Sequence, residues 1–282
     1  MSENQDNSKI KDIAGTVKGI VENVPVYQDV LQPAAKEIGI GLQQAVHIAL
    51  APLRALVWSY DRISLFVTSR LNDVLCDVPP ERIASPDISI AGPVLESLRF
   101  VENEEALRDM FVKLLATSMD IATAGGAHPS FVEIIKNLSP DEAKILIHFS
   151  KQPEIIWPII DLMGCHKGTK EIQIIRRNFN LIGYEAECAH PRRSPSYIEN
   201  LARLGLAEIS ETSWISQQAA YEPLENSDDL KPYISAIDNT PNNEHSFNHK
   251  LARLTNFGDD FCYSCIRKHS THRIRAFALK TD

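Results

Sequence analysis

The sequence lacks a run apolar enough to cross a bilayer. Its longest charge-free stretch, Ile38 to Leu53, is interrupted by Gln43, Gln44, His47 and Pro52, whereas a spanning helix needs about 20 mostly apolar residues. Cysteine is scarce, with five in 282 residues, at positions 76, 165, 188, 262 and 265. That number is odd, and the opening MSENQDNSKIKD is polar, with no apolar leader. Free or buried thiols in a reducing cytoplasm are therefore expected, rather than a disulfide framework. Positive charge is not in excess. Lys and Arg number 29 against 37 Asp and Glu, giving a net charge of −8, so the whole chain is not a nucleic-acid-binding polycation.

Catalytic signatures are missing as well. There is no Gly-x-x-x-x-Gly-Lys-Ser/Thr loop, no Gly-x-Ser-x-Gly elbow and no His-Glu-x-x-His. Gly39-Ile40-Gly41 lacks the third glycine and the preceding strand of a dinucleotide loop. Asp259-Asp260 and Glu104-Glu105 are adjacent in sequence, and neighbours on a helix point in different directions. Cys262-x-x-Cys265 with His269 and His272 crowds four potential ligands into eleven residues. Zinc ligand pairs usually lie on two separate elements, so no metal site and no cofactor is expected.

What is present is helical periodicity. Ile38, Leu42, Val46, Leu50, Leu53, Val57 and Tyr60 recur at helical spacing, and the pattern resumes at Ile63, Phe66, Val67, Leu71 and Leu75. Pro52 marks a kink. Residues 34–76 thus form an amphipathic segment that packs on the domain or touches a membrane surface or a partner. Its arginines are sparse, which favours packing. SPDISIAGP, residues 85–93, reads as extended or turn. NEEALRDMFVKLLATSMDIA, from Asn103 as N-cap, predicts a helix that buries Leu107, Met110, Phe111, Leu114, Leu115 and Met119 and stops at Gly125-Gly126. Phe131, Ile134, Ile135 and Leu138 share the face of a following helix. Ser139-Pro140-Asp141-Glu142 is a capping box that opens the next. His128, Pro129, Ser130 and Phe131 therefore stand at a helix–turn–helix junction. They form a candidate recognition loop, and no nucleophile or carboxylate lies beside His128 in sequence.

Beyond residue 150 the texture changes. Residues 1–160 carry 14 Lys+Arg and 21 Asp+Glu, and the remainder carries 15 and 16, so the charge falls from −7 to −1. Pro153 and Pro158 punctuate an expected short apolar helix ending at Gly164, followed by a polar stretch over 166–193. Ser196-x-x-Glu199 reads as a second capping box, with Gly205 as C-cap and a strand from Leu206 to Ile209. Residues 222–249 read as loop with a helix near 230–237. A short strand, a turn at Asn256-Phe257-Gly258 and a final helix close the pattern. Helix, strand, loop and returning strand have the rhythm of a winged helix. Arg192, Arg193, Arg203, Arg267 and Lys268 are the candidate nucleic-acid contacts.

AGPVLESLRFVENEEALRDMFVKLLATSMD, AHPSFVEIIKNLSPDEAKIL, YIENLARLGL and LTNFGDDFCYSCI together resemble the abortive infection alpha family of bacterial proteins, and LAPLRALVWSYDRI is similar to that family's helical lead-in. The resemblance covers most of residues 35–266. It implies a part in defence against phage, and it supplies no catalytic residues to carry over. The expected architecture is mainly α: a disordered tail at 1–9, a helical domain at 10–162, a smaller α+β, winged-helix-like unit at 163–275 and a tail at 276–282. The expected protein is cytoplasmic, or peripheral at the inner membrane. It acts through a protein partner, self-association or, by way of residues 34–76, a membrane surface. Nucleic-acid binding by the C-terminal unit and an enzyme with a site near His128 are the alternatives.

Overall fold

The computed structural model describes residues 61–267 apart from 102, 152–155 and 170, together with 41, 45, 46, 48 and 50. The expected tails at 1–9 and 276–282, most of the segment 34–60, and Lys268, His269 and His272 lie outside the described residues.

Helix α1 (Asp61–Val74) buries Val67 and Leu71, with Leu75 just beyond it. Helix α2 (Ile88–Ser97) occupies the stretch expected to be extended. Asp87 caps it by accepting the Ser89 N–H at 2.8 Å. Pro93 sits in the second turn, where the absent amide removes one helical bond, and Ile90, Ala91 and Val94 are buried around it. That burial outweighs the proline. Helix α3 (Glu105–Met119) buries every apolar residue expected of it. It begins without a side-chain cap from Asn103, and it ends before the glycines, because Asp120 turns extended and bridges to Ile83. Helices α4 (Ser130–Lys136) and α5 (Pro140–Lys151) follow. The capping box is present: Ser139 N–H donates to Glu142 Oε2 at 2.6 Å, and Glu142 N–H donates to Ser139 Oγ at 3.3 Å.

Trp157–His166 is a strand, β1, and not the expected helix. Both of its faces are buried from Ile159 to Leu162, so apart from Asp161 the run reads as apolar and shows neither period. Its β-branched and aromatic residues suit a pleated, packed surface. Strand β2 (Ile172–Phe179) lies in the stretch read as polar, with no element assigned. Helices α6 (Ile182–Glu185) and α7 (Ser194–Arg203) precede strand β3 (Ala207–Ser210). The second capping box does not form: α7 starts at Ser194 with Pro195 in its first turn, and Glu199 accepts from Asn178 Nδ2 instead. Gly205, at φ 76°, ends α7 as expected. Gly205 N–H donates to Ala202 O and Leu206 N–H to Leu201 O, the paired bonds of a Schellman motif.

Helix α8 (Glu222–Glu225) and strand β4 (Asn243–Leu254) replace much of the expected loop, while helix α9 (Lys231–Asp238) between them falls where a helix is expected. Helix α10 (Asn256–Cys265) is capped by Thr255 Oγ1, which accepts the Gly258 N–H at 2.8 Å. A Cβ on Gly258 would strike the Leu206 carbonyl oxygen, so glycine allows α10 to approach α7's end.

The four strands make one antiparallel sheet in the order β2-β1-β4-β3. The architecture is therefore mixed α+β, and not mainly α. The expected helix–strand–return rhythm is kept by α7, β3 and β4, but β4 pairs with β1 along ten residues and with β3 along four. β1 also runs through the expected boundary at 162/163. One large core joins α1–α5, α7 and α10 to one sheet face, from Leu71 through Phe111, Leu146 and Ile159 to Phe261. A smaller core of Ile160, Leu162, Tyr221, Leu224, Leu230 and Ile237 fills the space under α8 and α9.

Candidate recognition site

The loop between α3 and α4 is fixed from several sides. Asp120 is buried and receives a forked contact from Arg82, with Nε donating to Oδ1 at 2.9 Å and the terminal nitrogen donating to both oxygens. Ala84 N–H donates to Met119 O and Ile121 N–H to Arg82 O, so residues 82–84 are stitched along 119–121. Further along, Ser264 Oγ donates to Gly126 O at 2.9 Å and ties the loop to α10.

His128 is exposed. Ser130 N–H donates to His128 Nδ1 at 3.1 Å, and Ser130 Oγ lies 2.6 Å from the same nitrogen. Through Nδ1 the ring accepts the first amide of α4. Pro129 closes the turn. Phe131 is fully buried, with its ring 5.3 Å from both Phe257 and Phe261. The four residues of the expected loop thus divide: His128 and Ser130 bond each other, Pro129 faces outward, and Phe131 is an anchor in the core.

Against this loop lies a cleft of about 570 Å³. Its walls are Ala84, Pro86 and Ile90 on one side and Ile121, Ala127 and Pro129 on the other. Ile121 is 48% exposed at its rim. The lining is concave and mostly apolar, with Ser85, Asp87 and Ser118 as its polar members.

A second polar cluster escaped the sequence reading. Lys250 is fully buried between the sheet and its connections. Its Nζ lies 3.0 Å from Asp161 Oδ1 and 3.2 Å from Glu211 Oε1, and it donates to Asn178 Oδ1. Three acceptors meet three ammonium hydrogens. Asn178 adopts φ 54°, a left-handed conformation that asparagine tolerates, and its own N–H donates to Asp161 Oδ1 at 2.7 Å. Beside the cluster, Tyr221 OH donates to Lys250 O, and the Tyr221 ring stacks on His249, 4.1 Å away and tilted by 7°. Burial pushes the Tyr221 phenol up. The cluster ties β4 to β1 and β2 and braces the sheet. A signal for it exists in the sequence: Asp161 is a lone acid inside WPIIDLMG.

Three of the five cysteines are buried, and burial holds their thiols protonated. Burial drives the Cys188 thiol to about 11 and Cys262 to about 12, and raises Cys265 well above its ordinary value. Among the described residues no group of His, Cys, Asp and Glu could hold a metal ion.

The candidate nucleic-acid contacts are dispersed. Arg192 precedes α7 and pairs with Asp229 at 2.9 Å, and that carboxylate also accepts from Tyr184 OH. Arg193 is exposed next to it. Arg203 donates to Asn200 Oδ1. Arg267, at the end of α10, pairs with Asp259 at 2.6 Å and donates to Ser150 O. Arg192 and Arg267 would have to give up carboxylates to meet phosphate.

No curated protein matches this chain. Among solved structures, an uncharacterized protein from the hydrocarbon-degrading marine bacterium Alcanivorax borkumensis SK2 is similar over 47% of this chain and 89% of its own, at 18% identity and a TM-score of 0.33. The sequence profile of abortive infection alpha matches residues 59–265. That match takes in the stitched loop, the cleft, the buried lysine and all four strands, and the chain belongs to the abortive infection alpha family.

Proposed function

We propose that this protein is a bacterial anti-phage protein of the abortive infection type and that it acts by contact with another protein rather than by chemistry of its own. The cleft under the 120–131 loop is the proposed recognition surface. The observation that carries this reading is a concave, mostly apolar surface whose loop is held by the Arg82–Asp120 fork, the Ser264 bond to Gly126 and the Phe131 anchor. A surface held this way binds without first being ordered. The residues that might have carried chemistry are occupied instead, with His128 capping α4 and the buried thiols raised.

The test is plaquing efficiency on cells with and without the gene, with survival of infected cells at low and high phage dose. Lower plaquing with culture collapse at high dose is expected. Ile121→Asp and Ala127→Asp should abolish protection while leaving the circular dichroism spectrum unchanged. Protection that survives both substitutions removes the cleft from this role. The amphipathic segment 34–76 is the proposed effector surface, and flotation with anionic vesicles tests its membrane version: protein left at the bottom of the gradient, with or without infection, rejects that version.

A further inference from the structure

Strand β2 sets Arg176 opposite Leu162 of β1, on the sheet face that α9 covers. The Arg176 guanidinium lies over the Tyr233 ring, 5.1 Å from its centroid. Stacking occupies the flat face of the group and leaves the N–H donors around its edge free. Arg176 is half-buried, and among the described residues no carboxylate pairs with it and no acceptor takes its hydrogens. A cation that has lost part of its water is ordinarily paired.

Arg176 lines a pocket of about 230 Å³. Phe179, Leu230 and Pro232 give it an apolar wall beside Tyr233. Its other charged members are Arg192, Asp228 and Asp229. Both carboxylates are already engaged. Asp229, 14% exposed, takes Arg192 Nε at 2.9 Å through Oδ1 and the Tyr184 O–H at 2.6 Å through Oδ2. Asp228, 90% exposed, pairs with Lys231 at 2.5 Å. Arg176, Arg192 and Lys231 thus stand against two acids, and the charge left unmatched is that of Arg176. Arg192 is 80% exposed, and an exposed ion pair is weak. It can turn from Asp229 to a stronger anion while Tyr184 still holds that carboxylate.

We propose that this pocket binds a small phosphate monoester, with its phosphate between Arg176 and Arg192 and its organic part against Phe179, Leu230 and Pro232. The two guanidinium groups come from separate elements, β2 and the turn before α7, and so approach an anion from two directions. That suits a tetrahedral dianion, whereas one guanidinium fork satisfies a planar carboxylate. The pocket lies on different elements from the cleft, and the inference stands whether or not the cleft docks a protein.

Calorimetric titration of the full chain in a phosphate-free buffer tests it, with phenyl phosphate, inorganic phosphate and benzoate as probes. Phenyl phosphate should bind at one site per chain, more tightly than either of the others. Arg176→Lys keeps the charge and loses the planar fork, and should weaken phenyl phosphate by about tenfold or more. Arg192→Ala, at an exposed position, should weaken it as well and guards against a folding defect at 176. Arg177→Ala removes an exposed arginine outside the pocket and should leave the affinity unchanged. No saturable heat from phenyl phosphate at millimolar concentration overturns the proposal. Benzoate binding as tightly as phenyl phosphate overturns it too, since the site then selects carboxylates. An equal loss on Arg177→Ala does the same, because the attraction is then diffuse surface charge.

Discussion

Asp141 offers a sharp test of how the helical part is joined to the segment leading into α7. It is buried in the first turn of α5, and its carboxylate accepts Ala189 N–H at 2.7 Å, His190 N–H at 2.9 Å and Tyr197 O–H at 3.0 Å. Burial alone would raise its pKa. The two amide bonds and the tyrosine bond outweigh that, with help from Lys144, so its pKa is lowered. In Asp141→Ala the Tyr197 hydroxyl is stranded in a buried position, at a cost of about 1–3 kcal/mol. Ala189 and His190 are exposed, so their amides recover water and lose less, about 0.5–1.5 kcal/mol each. The loss should total about 2–6 kcal/mol. Urea unfolding followed by circular dichroism at neutral pH measures it. The sign with pH is fixed: a carboxyl whose folded pKa lies below its unfolded value stabilises fully above the unfolded value, near 3.9, and loses that contribution as pH falls through the folded value. The Asp141→Asn variant should therefore show a flatter acid dependence than the parent. An Asp141→Ala protein within about 1 kcal/mol of the parent at neutral pH would refute the reasoning.

Other consequences can be checked with the same protein. Lys250→Ala leaves Asp161 buried and uncompensated, and should destabilise by about 3–5 kcal/mol, whereas Lys250→Met combined with Asp161→Leu should recover much of that in the same unfolding assay. Native protein labelled with iodoacetamide should be modified at the exposed Cys76, with Cys188, Cys262 and Cys265 reacting only on unfolding; rapid labelling of Cys262, whose thiol sits at about 12, would contradict its burial. His128→Ala should cost about 0.5–2 kcal/mol as a lost helix cap and leave phage protection intact, and lost protection with an unchanged fold would restore the enzyme reading.

Features written locally were legible in the sequence. Ser139 and Glu142 make their capping box within four residues, and Gly205 takes the left-handed turn it was expected to take, because partners close in sequence need no tertiary information. β1 and β2 were not legible. A strand buried on both faces loses the alternation that distinguishes it from a buried helix, and Pro158 pointed the wrong way. Pro93 misled in the same manner, since packing of α2 overrides it. The junction at His128–Phe131 was visible, but its cleft was not: the facing wall is Ala84 to Ile90, and the Arg82–Asp120 fork that fixes it joins residues 38 apart. Lys250 finds Asn178 across 72 residues, a distance over which charge patterning carries no signal.

The polar ties between α3 and α10 bear on the order of synthesis. Lys113 Nζ donates to Ile266 O and Thr117 Oγ1 to Ser264 O, across 153 and 147 residues. At about 5–20 residues per second, roughly 8–30 s separate the emergence of α3 from that of its partner. Through that interval the apolar face that α10 will cover stays open, and β1 waits for β4. Until residue 266 has been made, the nascent chain is a binding target for chaperones and a liability for aggregation.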